Sequence, residues 1–157
     1  MLRSIAAVIL SYIAMAALIM ITFAALWIGL SPDRLLVPGE WKGNWILCIA
    51  APGLTLLAGL FGGWMCAKIG RGPGPVKFLA ATVLVLGLTM AFFTLQKPEP
   101  TGPRAPGLTM QQVMKDGREP TWAAISNPII GAAAVLIGGL FLGNGRGQRN
   151  APAQPRP

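Results

Sequence analysis

The sequence predicts an all-α integral membrane protein: a four-transmembrane-helix bundle with a short amphipathic helix in the second outer loop. Three observations carry this. Stretches 5–30, 45–67, 78–95 and 122–142 are long, apolar and free of charged residues. A bilayer core about 30 Å thick needs roughly 20 apolar residues as helix to cross it. Cations gather beside the span ends, and tryptophans mark the interfaces. The four spans and their connections form one domain over 1–143. That leaves 144–157 as a disordered basic cytoplasmic tail, too rich in Gly, Asn, Gln, Pro and Arg to bury a core.

Span one covers 5–30. Met1-Leu2-Arg3 before an apolar run could open a secretory signal. A signal's apolar region is only about 7–15 residues, and here it continues to Leu30, which favours an uncleaved signal anchor. Ser31-Pro32-Asp33 is expected to stop the helix, since Pro disfavours helix in the residue before it. The first outer loop, 31–44, holds the turn signal Pro38-Gly39. Trp41 and Trp45 stand where span two begins.

Span two, 45–67, carries Pro52 about two turns in, where a bend is expected because Pro frees a carbonyl. Gly59 and Gly63 form a G-x-x-x-G pair, a face on which another backbone can approach closely. That partner helix can belong to the same chain or to a second subunit. The spacing can also arise by chance in a chain with 20 glycines. Cys48 and Cys66 lie about 27 Å apart along the helix, too far for a disulfide within one chain. They read as small packing residues, with an intermolecular Cys48 bridge as the alternative. Gly70-Arg71-Gly72-Pro73-Gly74-Pro75 reads as a tight turn, not a phosphate loop, since it lacks the G-x-x-x-x-G-K-[ST] spacing.

Span three, 78–95, has only threonines as polar residues and is expected to face lipid over much of its surface. The second outer loop opens with a proline-dense strap from Lys97 to Gly107. Thr109-Met110-Gln111-Gln112 fits a T-x-x-Q capping box, and Met110, Val113 and Met114 share a helical face. A short surface helix is predicted over Met110–Asp116. Span four, 122–142, contains Asn127-Pro128 and the small residues Gly131, Ala134 and Gly138. Asn127 is the most polar residue in any span. It reads as a clamp between helices or, alternatively, as part of a small binding site. Spans two and four share an early Trp, an early Pro and a later Gly-Leu-Phe, although the intervals differ.

The net charge of +8 follows from topology. Arg3, then Lys68, Arg71 and Lys77, then Arg146, Arg149 and Arg156 fall on one side with no acid. All the acids, Asp33, Glu40, Glu99, Asp116 and Glu119, fall in the two longer loops. Cytoplasmic flanks carry the excess of Lys and Arg, so both termini are expected in the cytoplasm. No nucleic-acid partner is expected. With no histidine and no Cys/Asp/Glu cluster, neither a metal, a cofactor nor a catalytic residue is expected.

Met1-Leu2-Arg3, Glu119-Pro120-Thr121-Trp122 and Asn127-Pro128-Ile129-Ile130-Gly131 resemble small, uncharacterised four-helix bacterial inner-membrane proteins. The resemblance implies a location in the bacterial inner (plasma) membrane and no activity. The functional expectation is a non-enzymatic protein acting through helix–helix or protein–protein contacts: an accessory subunit, assembly factor or scaffold. Its partners would be the lipid bilayer and a membrane protein or further copies of itself. Gly59, Gly63, Gly131 and Gly138 are the helix-packing candidates. The alternative is small-solute permeation or ligand binding near Asn127 and Pro52. A membrane enzyme using the loop acids Asp33, Glu40 or Glu119 is a third reading, weakened because loop acids usually just face water.

Overall fold

The computed structural model describes residues 2–30, 32–98, 109, 112, 117 and 120–143. Its regular structure is helical: α1 Leu2–Gly29, a single turn α2 Pro32–Leu35, α3 Trp45–Gly70, α4 Pro73–Gln96 and α5 Thr121–Ile137. A π-helical turn, Gly138–Leu142, extends α5. Four of these helices are long and apolar enough to cross a membrane.

The end of α3 and the start of α4 lie beyond the charges that flank the apolar runs. α3 runs past Lys68 to Gly70 and ends with Arg71 in the left-handed conformation (φ 55°), its N–H bonded to the Ala67 carbonyl at 3.0 Å. α4 starts at Pro73, five positions before the apolar run, because proline at a first helical position lacks only an N–H that would be unpaired anyway. The helices that contain the apolar runs 45–67 and 78–95 therefore extend beyond them. A charge marks where apolar surroundings stop, whereas hydrogen bonding decides where a helix stops. α3 and α5 continue through Pro52 and Pro128 without interruption. Thr55 Oγ1 donates to the Ala51 carbonyl at 2.9 Å beside the first of these prolines.

α2 was not expected. Ser31-Pro32-Asp33 reads as a stop in the sequence, yet Pro32 opens a new turn, again in the first helical position. Beyond it the chain folds back as a small hairpin. Leu36 pairs with Gly43, and the Val37 N–H donates to the Lys42 carbonyl at 2.9 Å. Val37-Pro38-Gly39-Glu40 is a type II turn: the Glu40 N–H bonds the Val37 carbonyl at 3.0 Å and Gly39 sits at φ 77°. Leu35 and Leu36 are buried beneath it. Asn44 closes the hairpin onto α3, its side-chain oxygen accepting from the Trp45 N–H at 2.6 Å. The Lys42–Glu40 ion pair on this hairpin is exposed and, at 3.7 Å, adds little. Gly39→Ala should destabilise the protein by about 1 kcal/mol, because a Cβ strains a left-handed residue. Thermal melting in detergent checks this, and Gly39→Asn should be the milder change. Equal melting of parent and Gly39→Ala would refute the turn assignment.

α1, α3, α5 and α4 form a ring, with α3 and α4 also touching across it. Contacts pair Gly62 with Met15 and Gly70 with Ala7, so α1 and α3 are antiparallel. Gly87 meets Pro128 and Gly139 meets Val76, so α4 and α5 are antiparallel too. α3 and α5 run side by side in the same direction. One end of the bundle therefore gathers the start of α1, the end of α3, the start of α4 and the end of α5; this is the basic end. The opposite, loop end carries the 32–44 hairpin. The Arg3 Nε donates to the Ile69 carbonyl at 2.8 Å, tying α1 to the last turn of α3.

The interior is built from small side chains. Ala7, Val8, Met15, Cys66, Ala67, Val76, Leu79, Ala80, Ala132 and Val135 form its core. The large apolar side chains point outward, among them Phe61, Phe78, Phe92, Phe93, Trp45, Trp122 and Phe141. α4 is the most outward-facing, with 17% of its apolar window buried against 33% for α5. This matches the lipid-facing expectation for span three as far as exposure goes.

The helix expected at Met110–Asp116 lies largely outside the described residues, as do the tail 144–157 and most of the proline strap. Its capping box is present. The Thr109 N–H donates to Gln112 Oε1 at 2.9 Å, and the Gln112 N–H donates to Thr109 Oγ1 at 3.4 Å. Each side chain thus takes up a backbone donor of the other.

Candidate functional site

The centre of the bundle is the seam between α3 and α5. A Cβ on Gly59 would lie 2.6 Å from the Ala134 Cβ and 2.8 Å from the Gly131 carbonyl oxygen. A Cβ on Gly63 would overlap the Val135 carbonyl and come within 2.9 Å of the Gly139 nitrogen. One on Gly138 would overlap the Leu60 carbonyl. Residue numbers rise together along the seam, ending with Gly143 against Ala67. The structure thus brings Gly59, Gly63, Gly131 and Gly138 into one contact. At Gly63 and Gly138 the hydrogen standing in place of a Cβ points at a facing carbonyl. Such Cα–H···O=C contacts contribute about 0.5–1 kcal/mol each.

Gly131 is also where a third helix comes in. Its missing Cβ faces the Thr55 methyl at 3.1 Å and Val83 of α4 at 3.3 Å. Gly139 does the same further along, between the Gly63 carbonyl at 3.0 Å and Val76. The π-turn makes this double use possible. The Gly143 N–H bonds the Gly138 carbonyl at 3.1 Å, spanning one residue more than an α-turn. The consecutive glycines Gly138 and Gly139 are then both buried against neighbours.

Sequence reasoning missed the second face of α3. Ala58, Gly62 and Cys66 recur at every fourth position, and all are buried. A Cβ on Gly62 would overlap the Met15 side chain of α1 and lie 3.6 Å from the Ser11 carbonyl. Ser11 and Cys66 are both fully buried. One helix therefore carries two adjacent small-residue stripes: 59, 63 and 67 toward α5, and 58, 62 and 66 on the side that meets α1. Gly62 stands out in the sequence beside Gly59 and Gly63, but only the G-x-x-x-G pair reads as a face. Gly70 reads only as part of a turn, and its place between Pro75 and Ala7, like that of Gly87 against Pro128, depends on neighbouring helices.

Asn127 is half-buried on α5, as is Pro52 on α3. The register of the seam puts Asn127 level with Ala51, one turn toward the loop end from the Thr55–Gly131 contact. The neighbouring hydroxyls serve their own helices: Ser126 Oγ donates to the Ala123 carbonyl at 3.4 Å. Above them lies a cleft of about 10 Å³ lined by Gly43, Leu47, Cys48, Ala51, Pro120 and Ala123. That is at the lower limit for one water molecule, and the lining is apolar. Cys48 is half-buried there, its thiol 3.8 Å from the Gly43 carbonyl. Cys48 and Cys66 are both free thiols.

Compared with known proteins, the chain matches no family model, no curated protein and no solved structure.

Proposed function

We propose that the chain is a non-enzymatic, multi-pass protein of the bacterial inner membrane that acts through protein contacts, as an accessory subunit, assembly factor or scaffold. The observation that carries this is the α3–α5 seam. Backbone meets backbone along the centre of the bundle, so the middle is filled rather than open to a solute. The membrane setting is supported by the arrangement of side chains. Small residues lie inside, and large apolar residues such as Ile5, Ile28, Phe78 and Phe92 lie exposed outside. In water such a surface would associate or precipitate; in lipid it is solvated. The basic end fits the cytoplasmic face and the loop end the outer face.

The glycine stripes are used within the chain, which directs a partner to the outer surface of the bundle: the 32–44 hairpin and the apolar exterior. The test is gentle detergent extraction of tagged protein at native expression, followed by native mass and identification of co-purifying chains. A stoichiometric second membrane protein supports the proposal. A lone monomer in every mild detergent refutes it. Asn127→Leu separates this reading from ligand binding. As a helix clamp, Asn127 should contribute about 0.6 kcal/mol, so the variant should melt slightly earlier and still capture the same partner. Loss of function with unchanged melting would favour a binding site instead.

A further inference from the structure

We propose that the basic end of the bundle is a binding surface for the headgroup of an anionic phospholipid. This inference rests on the membrane reading above and adds a ligand to it. Arg3 of α1, Lys68 and Arg71 at the end of α3, and Lys77 of α4 are all exposed at this end. Their helices converge on Gly70, whose missing Cβ would touch Pro75 at 2.8 Å and Ala7 at 3.4 Å. Two of the four cations are held in place through their side chains. Arg3 is fixed by its Nε bond to the Ile69 carbonyl, which leaves the two terminal guanidinium nitrogens to meet another acceptor. The Lys68 ammonium lies over the Trp64 ring, 5.9 Å from its centroid. Trp64 is an interfacial residue type, so this pair sits at headgroup depth. The Arg71 backbone is locked as the left-handed cap of α3. No Asp or Glu occurs in 1–32, 41–98 or 120–157, so no acid from the three converging helices neutralises the surface.

Exposed guanidinium and ammonium donors without internal counter-charge, two of them held by side-chain contacts, suit a phosphate diester. The surface lies where the headgroup layer of a bilayer would be, which makes a lipid the source of that phosphate. The phosphatidylglycerol class supplies the charge and leaves its acyl chains against the apolar exterior.

The experiment reconstitutes the full chain in bilayers of equal phosphatidylglycerol and phosphatidylcholine, then extracts it mildly and measures retained lipid by native mass spectrometry. Retained phosphatidylglycerol should exceed phosphatidylcholine by at least about fivefold, the effect of one basic side chain near an anionic surface. The quadruple variant Arg3→Gln, Lys68→Gln, Arg71→Asn, Lys77→Gln should bring the ratio close to one. Because Arg3 also ties α1 to α3, the double variant Arg71→Asn, Lys77→Gln is measured beside it and should give an intermediate ratio. Equal retention of the two lipids by the parent, or an unchanged preference in the double variant, overturns the proposal. So does complete displacement of the lipid by millimolar inorganic phosphate, which would make free phosphate the ligand. Release of the protein from membranes by alkaline carbonate would instead refute the membrane reading, and is scored separately.

Discussion

Gly63→Leu is expected to abolish the folded bundle, leaving aggregated or degraded protein. A Cβ at Gly63 overlaps the Val135 carbonyl, which belongs to rigid helical backbone and has no rotamer to change. α3 and α5 must separate, and α3 also holds α1 through the adjacent stripe. Overpacking a filled core by a methyl or two costs about 1–3 kcal/mol, so Gly63→Ala should already melt well below the parent. Leucine adds three further carbons at the same place. The control is Gly53→Leu on the same helix, where a Cβ meets nothing within 4 Å. It should express and run as parent by size-exclusion chromatography. If Gly63→Leu ran as a monodisperse species with parent melting, the seam as described would be wrong.

The second large effect is topological and close to all-or-none. Glu40→Cys sits in the exposed hairpin at the loop end; Gly74→Cys sits in the exposed first turn of α4 at the basic end. With an impermeant maleimide on intact cells, Glu40→Cys should label and Gly74→Cys should label only after permeabilisation. The native thiols Cys48 and Cys66, half-buried and buried, set the background measured on the parent chain. The reverse pattern would invert the orientation and move the basic end outside. Labelling of both in intact cells would contradict a bilayer between the two ends.

The reading of four long helices from sequence rested on charge-free runs, and those runs are a strong signal because charged groups are expensive in apolar surroundings. Helix ends were less legible. Lys68 and Lys77 looked like boundaries, yet long basic side chains can extend from a helix that continues beneath them. Pro32 looked like a terminator because proline ends one helix and begins the next with equal ease. Pro38-Gly39 was legible, since a type II turn demands a residue tolerant of positive φ. So was the Thr109–Gln112 box, a local motif whose partners lie three residues apart. At the candidate site the glycines could be named, but not their neighbours. Whether Gly59 meets Gly131 depends on how two helices more than fifty residues apart are set side by side, and one helix's spacing does not encode that. The Gly138–Leu142 π-turn was illegible for a related reason: its glycines are buried against α3 and α4, contacts that local sequence does not encode.

The parallel seam has a consequence for biogenesis. α3 is made well before α5, and its 59–63–67 face waits unpaired while α4 and the long second loop are synthesised. Closing a contact over so long a loop is slow compared with the local α3–α4 hairpin. During that interval α1 can already dock on the other face of α3. On this order α5 would close onto a preformed α1–α3 pair, as a keystone closes an arch. A chain halted before Gly131 would leave the 59–63–67 face of α3 as an open glycine groove.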